Sequence, residues 1–452
     1  MSQSQAIIDA YAELLQQPAL QAEARERALE LVQSRSLWMD GRSILGVLRP
    51  CIVSEAEYAR IRVLSGCVAR ALRTAAMGLS ADEARLREVC GERYRYSPRI
   101  LAVDRERAWL GFGRLDGFRQ PDGGIRFLEN NPQWAGRFPG GLVWNDVITE
   151  LFEDLEATRR LCERFTLRRI GTRAHLSATL ASSGNSLGYV VDREFGALAL
   201  SDQEAEAVLE HAHAEGFEVF FSDAEDYLDD GERLRAPSGE AVSTLFAVPE
   251  SQRAAEEISG LPLFTAYAEG RVHISGGLQL GRLLGEKALF EVLSDERYAA
   301  WFDAETRATL RACIPWTRRV RAMTTELEGR RIELLEYAAT HKDALVLKPT
   351  AALGGEGVVV GRAVNEETWA RTLRTAIEEQ SWVVQSHVTA PRARFPFITE
   401  RGVDFLELAE DFCPYTWPGD VDGALTRVSG GVLMNATAGL GTFAGLLIGG
   451  ER

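Results

Sequence analysis

The feature that most constrains the fold of this chain is a pair of short strand patterns joined by a tight turn. The three segments are Gly111-Phe112-Gly113-Arg114-Leu115-Asp116, the turn Pro121-Asp122-Gly123-Gly124, and Phe127-Leu128-Glu129-Asn130-Asn131-Pro132. A Pro and an Asp followed by glycines favour a tight connection between two strands. The sequence therefore predicts a β-hairpin whose strands both carry polar residues.

The polar residues of this hairpin are spaced to share a face. Because side chains alternate along a strand, Arg114 and Asp116 lie on one side, and Glu129 and Asn131 lie on one side. Pairing of the strands then brings an Asp, a Glu and an Asn amide oxygen together beside an Arg. Such oxygen ligands suit Mg²⁺ held between carboxylates and nucleotide phosphates. The alternative for Arg114 and Asp116 is an ordinary ion pair at the surface.

A second stretch whose residues are suited to ligand binding lies between Leu345 and Gly361. The apolar run before Lys348-Pro349 predicts a strand, and the strand returns at Val358-Val359-Val360 after a turn that contains Gly354, Gly355 and Gly357. Glycines let backbone N–H groups approach phosphate oxygens, and the lysine adds positive charge. The stretch lacks the Gly-Lys-Ser/Thr of a P-loop. A plain β-hairpin is the alternative.

Composition bounds the class of protein. A chain of 452 residues predicts two or three domains. Its net charge of −15 argues against nucleic-acid or anionic-membrane partners. The absence of a long apolar run or a signal-peptide pattern, together with six scattered cysteines, predicts a cytoplasmic protein with reduced thiols. His211 and His213 lie two apart in a helical pattern and are interpreted as surface residues.

Periodicity divides the rest of the chain. Residues 1 to about 95 are helical in pattern, and residues from about 171 to 270 form a separate β-α-β unit with a small parallel sheet. Residues 285–339 are mainly helical, including a helix over Arg319–Ala338. The segment Trp382-Val383-Val384-Gln385-Ser386-His387 is a short apolar strand with a polar end, typical of a segment that lies against an adenine edge.

In this order, the motifs resemble the circularly permuted ATP-grasp ligases, over about residues 100 to 449. Eukaryotic-type glutathione synthetase and the synthetase half of bacterial glutathionylspermidine synthetase are the relatives most similar in pattern. The resemblance implies an α/β (α+β) chain with a circularly permuted ATP-grasp fold, an N-terminal helical layer and an inserted Rossmann-like αβ substrate domain. We expect three parts: the helical layer with the metal-binding strands (1–170), the inserted domain (171–270), and the nucleotide-binding and lid region (271–452).

The resemblance also implies roles for individual residues. Asp116, Glu129 and Asn131 match the metal ligands, Arg114 matches an Arg that meets the transferred phosphate, and Arg427 matches an Arg that holds a carboxylate substrate. The positions that match ATP-binding residues are Lys348, Gly354, Gly355, Gly357, Gln385, Gly439 and Gly441. The family's second nucleotide lysine has no clear match, and Lys287 is the best candidate for it. Ser386 accompanies Gln385 near the adenine hinge. The alternative for Arg427 is an ion pair with a core acid such as Asp404 or Asp411.

Two further departures separate the chain from those relatives. The Glu that follows Lys-Pro in the family is absent near Ala352, and Glu356 either replaces it or faces solvent. The small hydroxyl residues that follow Glu-x-Asn in glutathione synthetase are replaced by Gln133-Trp134-Ala135-Gly136. The second departure argues against glutathione as the product.

The resemblance implies an ATP-dependent carboxylate–amine ligase that forms an amide through an acyl phosphate, with ATP and Mg²⁺ as cofactors. The expected substrates are a small-molecule carboxylate and amine, drawn from amino acids, polyamines or short peptides, and a homodimer is compatible with the sequence. Two alternatives stay open: an ATP-grasp phosphotransferase that stops at a phosphorylated product, and a nucleotide-binding protein without turnover.

Overall fold

A computed structural model describes most of the chain. The described residues are 3–34, 38–39, 42–43, 45–92, 94, 96–107, 113–132, 140–170, 186–190, 213, 218–247, 260–352, 355–399, 402–417, 419–434 and 442–451. Among them, no helix has the length and apolar character that a membrane crossing requires.

The helices of the described residues alternate with strands along the whole chain. They are α1 (Gln3–Leu14), α2 (Pro18–Ser34), α3 (Glu55–Ser80), α4 (Glu83–Cys90), α5 (Pro98–Arg107), α6 (Gly140–Asp154), α7 (Glu156–Leu161), α8 (Pro262–Ala268), α9 (Leu280–Gly285), α10 (Leu289–Ser294), α11 (Ala304–Cys313), α12 (Leu334–Thr340) and α13 (Glu366–Glu379). Short 3₁₀ turns cover Ala224–Asp226, Glu296–Trp301, Lys342–Ala344 and Gly361–Ala363.

The strands are numbered in the same way. They are β1 (Trp38–Met39), β2 (Arg42–Ser43), β3 (Cys51–Val53), β4 (Gly113–Arg119), β5 (Ile125–Pro132), β6 (Phe165–Arg169), β7 (Ser186–Val190), β8 (Glu218–Ser222), β9 (Leu228–Asp229), β10 (Leu234–Arg235), β11 (Ala241–Val242), β12 (Thr244–Ala247), β13 (His273–Ile274), β14 (Thr317–Arg319), β15 (Thr324–Leu327), β16 (Arg330–Glu333), β17 (Leu345–Pro349), β18 (Val359–Val360), β19 (Trp382–Ser386), β20 (Arg392–Thr399), β21 (Gly402–Glu410), β22 (Cys413–Trp417), β23 (Asp420–Leu425), β24 (Arg427–Ser429), β25 (Thr442–Phe443) and β26 (Leu446–Glu451).

Strands from distant parts of the chain join in the same sheets. The predicted hairpin β4–β5 lies at one side of a sheet of order β23-β22-β4-β5, and β3 and β6 flank the C-terminal strand β26. The strand that carries Lys348, β17, lies in a sheet of order β14-β19-β17-β18. The early and late parts of the chain are therefore interleaved rather than stacked in sequence order.

The unit between residues 186 and 274 has its own sheet. Strands β7 and β8 are parallel, as the β-α-β pattern predicts, and β12 and β13 extend the sheet in parallel. The expected helix between β7 and β8 lies outside the described residues, apart from His213, which is exposed and helical.

Capping residues set several helix starts. The Ser54 hydroxyl accepts the N–H of Glu57 ahead of α3, and the Asn365 side chain accepts the N–H of Thr368 ahead of α13. The spacing of Ser80-Ala81-Asp82-Glu83 fits a capping box with Ser80 as the cap, but Asp82 rather than Ser80 caps α4. Asp82 lies immediately before the helix and its side chain accepts the N–H of Arg85.

The predicted helix over Arg319–Ala338 is also wrong. That stretch begins at the last residue of β14 and contains β15 and β16 before α12 begins at Leu334. Glu328 and Gly329 both have positive φ at the turn between β15 and β16, a conformation that a helix interior excludes. A hairpin turn with its own backbone geometry therefore overrides the apolar spacing.

The largest hydrophobic core lies behind the β4–β5 hairpin. It packs α3 against α9 and α10, and Leu115, Ile125 and Phe127 of the hairpin point into it. Leu115 and Phe127 are fully buried. One face of the hairpin is therefore anchored in the core, which leaves the opposite face for its polar residues.

Candidate active site

The register of the β4–β5 hairpin brings the predicted polar residues together. Asp116 is the cross-strand partner of Glu129, and Arg114 is the partner of Asn131. A β-bulge between Asp116 and Gly117 leaves Leu128 without a partner in the ladder. An extra residue reverses the alternation of side chains, so Phe127 enters the core while Glu129 and Asn131 stay on the polar face.

Two guanidinium groups hold the Asp116 carboxylate. Arg114 donates from Nε to Oδ1 at 2.5 Å and from Nη2 to Oδ2 at 2.9 Å. Arg427, on strand β24, donates from Nη2 to the same Oδ2 at 2.8 Å. Burial of Asp116 favours its neutral form, but the two arginines outweigh that effect and lower its pKa to about 2.

Arg427 is also held by Asp411, which follows strand β21. The backbone N–H of Arg427 donates to Asp411 Oδ1 at 2.7 Å, and its Nε donates to Oδ2 at 2.7 Å. Burial raises the pKa of Asp411 despite this arginine. The expected alternative of an ion pair with a core acid is present, with Asp411 as the partner, and the same guanidinium reaches Asp116.

Glu129 faces Lys348, which the resemblance assigns to ATP, and Lys287, the candidate for the second nucleotide lysine. Lys287 Nζ lies 3.4 Å from Glu129 Oε2 and donates to the backbone oxygen of Ala352 at 2.7 Å. Burial raises the pKa of Glu129, but Lys287 and Lys348 lower it, with a net decrease. The Glu129 side chain retains 29% of its exposed area, so a ligand can reach it.

Lys348, on strand β17, is buried. Its Nζ donates to Gln385 Oε1 at 2.7 Å and to the backbone oxygen of Leu128 at 3.4 Å. Burial lowers the pKa of Lys348 to about 8, although Glu129 favours its charged form. Gln385 therefore points towards the lysine in this structure.

The two asparagines of β5 point in opposite directions. Asn130 donates from Nδ2 to the backbone oxygen of Leu284, at the end of α9, at 3.0 Å. Among the residues that the structure describes, none is a hydrogen-bond partner of the buried Nδ2 atom of Asn131. Asn130 therefore has a structural contact, whereas the Asn131 amide is unsatisfied on the polar face.

The described part of the glycine turn needs glycine. Gly355 and Gly357 have φ of +79° and +70°, and a Cβ at Gly357 would lie 2.7 Å from Pro349 Cγ. Glu356 between them is exposed. Gly354, Gly439 and Gly441 lie outside the described residues.

The polar face has the residues for one Mg²⁺ between protein and phosphates. Within the described ranges, no group of three or more His, Cys, Asp or Glu side chains is arranged to hold a metal ion. Mg²⁺ in nucleotide sites commonly uses one or two carboxylates, with phosphates and water supplying the remaining ligands. Glu129 and the Asn131 amide oxygen are ligand types that fit that role, whereas Asp116 first has to exchange an arginine contact.

Comparison with solved structures identifies the fold. A glutathione synthetase-like effector from Globodera pallida, determined in its apo form, matches 96% of this chain over 98% of its own, with a TM-score of 0.59 and 12% identity. The chain is a mixed α/β protein with a fold similar to that of this effector. At 12% identity the likeness establishes a fold and no activity.

A more distant structure resembles the chain less. A proposed gamma-glutamylcysteine synthetase from Methylobacillus flagellatus KT matches 84% of this chain over 85% of its own, with 12% identity and a TM-score of 0.34. No protein-family profile and no curated protein matches the sequence.

Three parts of the site were not predicted from the sequence. They are the Leu128 carbonyl, exposed by the bulge, the Ala352 carbonyl that binds Lys287, and Thr317, which hydrogen-bonds Gln385. Two of the three are backbone groups, which no residue pattern marks. Thr317 lies at the start of a strand inside a segment with helical spacing, so its partner was not apparent.

Proposed function

We propose that this protein is an ATP-dependent carboxylate–amine ligase of the circularly permuted ATP-grasp type. The observation that carries the proposal is the convergence of Lys287 and Lys348 on Glu129, beside the Asp116 carboxylate with its two arginines. Phosphoryl transfer depends on positive charge arranged around the phosphates, and this face supplies four cationic side chains.

Each side chain has a defined task in this mechanism. Lys348 and Lys287 bind the β- and γ-phosphates of ATP, and Glu129 with Asn131 holds Mg²⁺, which offsets charge on those phosphates. Arg114 and Arg427 orient the substrate carboxylate next to the γ-phosphate. Both arginines are already placed within 3 Å of Asp116, so the carboxylate substrate competes with Asp116 for them.

The reaction has two steps. The substrate carboxylate oxygen attacks the γ-phosphorus, the bond to the β–γ bridging oxygen breaks, and ADP leaves. The amine nitrogen then attacks the carbonyl carbon of the acyl phosphate and inorganic phosphate leaves, with loss of one proton from the amine. Arg114 stabilises the charge that develops on the acyl oxygen.

The proposed substrates are a small amino acid, a polyamine or a short peptide, in the cytoplasm. Glutathione is not the proposed product, because Gln133-Trp134-Ala135-Gly136 replaces the hydroxyl residues of glutathione synthetase. The test is ADP release from ATP and Mg²⁺ with pooled amino acids, polyamines and short peptides, followed by mass spectrometry of the products. An amide product supports the ligase, and a phosphorylated product without an amide identifies a phosphotransferase.

A nucleotide-binding protein without turnover is the second candidate. The observation that favours it is the Asp116 carboxylate, whose two oxygens both accept hydrogen bonds from arginines. ATP binding without ADP release across the whole substrate pool would support this candidate over the ligase.

A further inference from the structure

Gln385 occupies the centre of three neighbouring strands. It is the cross-strand partner of Thr317 on β14 and of Val346 on β17. Lys348 lies two residues beyond Val346 and therefore on the same face, diagonal to Gln385. A diagonal neighbour is within reach of a long side chain.

Both ends of the Gln385 amide are used. Its Nε2 donates to Thr317 Oγ1 at 2.9 Å, while its Oε1 accepts from Lys348 Nζ at 2.7 Å. Thr317 Oγ1 donates in turn to the Pro315 backbone oxygen at 2.9 Å, so it is left to accept from the amide. Thr317 therefore selects the amide orientation that turns the acceptor towards the lysine.

The bulge in the hairpin supplies the third contact. The Leu128 carbonyl accepts from Lys348 Nζ and from Gln385 Nε2, at 3.4 Å each. Leu128 has no ladder partner, so the bulge directs its oxygen across to the neighbouring sheet. Leu128 also precedes Glu129, and the lysine is thereby fixed relative to the carboxylate that it faces.

The backbone near Gln385 is already hydrogen-bonded within the protein. Ser386 N donates to the Trp316 oxygen at 2.8 Å, and His387 N donates to the Ala344 oxygen at 2.8 Å. These N–H groups are therefore occupied, and the Gln385 side chain is 2% exposed. A base edge at this point would have to break hydrogen bonds that the fold has satisfied.

We propose that Gln385 is a positioning residue for Lys348 and does not contact adenine. Its amide, oriented by Thr317, holds the lysine ammonium against the Leu128 bulge so that the remaining N–H faces the phosphates. This inference rests on the proposed use of ATP, because the lysine acts through phosphate.

Calorimetric titration with inorganic tripolyphosphate and with adenosine tests the assignment. Gln385→Met keeps the side-chain length but removes the acceptor, and we expect about tenfold weaker binding of tripolyphosphate with unchanged binding of adenosine. Thr317→Val removes the group that orients the amide and should produce a smaller loss for the same ligand. Gln16→Met, at an exposed glutamine far from the site, is the matched control.

A second readout reports on the lysine itself. Without its acceptor, Lys348 loses a contact that favours the ammonium form, so its amine should be acylated faster at neutral pH in Gln385→Met than in the natural protein. Peptide mass spectrometry after brief treatment with acetic anhydride measures that rate. The chain has three lysines, and a purely structural role for Gln385 would change the labelling of Lys287 and Lys342 together with that of Lys348.

The outcomes separate this inference from the proposed function. Weaker adenosine binding with unchanged tripolyphosphate binding in Gln385→Met would overturn the positioning role. If Lys348→Ala loses tripolyphosphate binding and Gln385→Met does not, only the positioning role is wrong. If Lys348→Ala also binds tripolyphosphate normally, the phosphate contact in the proposed function is wrong as well.

Discussion

Arg427 Nη2 lies 2.8 Å from Asp116 Oδ2, so the guanidinium on strand β24 contacts the carboxylate on strand β4. The same guanidinium nitrogen lies 2.6 Å from Asp411 Oδ2. Asp116 and Asp411 therefore share one cation between them. This shared arginine joins the β4–β5 hairpin to strand β24, and it gives the site an ion pair that a carboxylate substrate would have to replace.

Removal of the shared arginine should destabilise the fold. Arg427→Met leaves two buried carboxylates without their common partner, and breaking a buried pair in this way costs about 3–5 kcal/mol. Urea unfolding monitored by circular dichroism measures the loss. The double variant Arg427→Met/Asp411→Asn removes one orphaned charge, so it should be more stable than Arg427→Met, and an equal or lower stability would contradict this account.

Substitution of Glu129 or Lys348 should remove ADP formation without unfolding the protein. Glu129→Gln removes the charge that faces both lysines, and Lys348→Ala removes the buried ammonium. We expect at least about a hundredfold loss of ADP release in each, with far-UV circular dichroism unchanged. The matched control is Glu356→Gln, because Glu356 is exposed on the glycine turn. Normal turnover in either site variant would contradict the assignment of that residue to the ATP site.

Local pattern was enough to predict the hairpin, the residues on its polar face and the strand that carries Lys348. These elements depend on alternation and turn chemistry, which act over a few residues. The resemblance offers Lys287 only as a candidate nucleotide lysine and does not predict its position opposite Glu129, since no local rule relates the segment after α9 to β5. The structure brings them to 3.4 Å.

The errors have equally physical causes. Ile100-Leu101-Ala102-Val103 has the composition of a strand, but it forms part of α5. There Asp104 receives backbone N–H groups from Leu278, Gln279 and Leu280, a tertiary contact that overrides β-propensity. The sequence pattern does not predict the bulge at Leu128 either, because a single unpaired residue leaves no periodic signal.

The affinity for ATP should fall as the pH rises from about 7 to about 9. Burial lowers the pKa of Lys348 to about 8, so the lysine is charged below that pH and neutral above it. The charged form is the one that attracts phosphate. Titration of ATP binding against pH measures the effect. Lys348→Arg, which stays protonated, should bind ATP with a flatter pH dependence, and the same steep fall in that variant would assign the titration to another group.

Asp104 should control both stability and the position of Lys287. Its buried carboxylate accepts the N–H groups of Leu278, Gln279 and Leu280 at 3.1, 2.7 and 2.8 Å, which fixes the start of α9. The hydroxyl of Tyr267, on helix α8, donates to the same carboxylate at 3.0 Å. Asp104→Ala leaves these buried donors without an acceptor, so we expect a loss of about 2–3 kcal/mol in the free energy of unfolding, measured in urea.

Tyr267→Phe provides the finer comparison for the same contact. It removes one donor and leaves the three backbone hydrogen bonds of Asp104 in place, so its loss of stability should be about 1 kcal/mol. Because Lys287 follows the end of α9 by two residues, Asp104→Ala should also raise the KM for ATP, while Tyr267→Phe should leave the KM close to that of the natural protein. An unchanged KM in a folded Asp104→Ala variant would show that the start of α9 does not determine the position of Lys287.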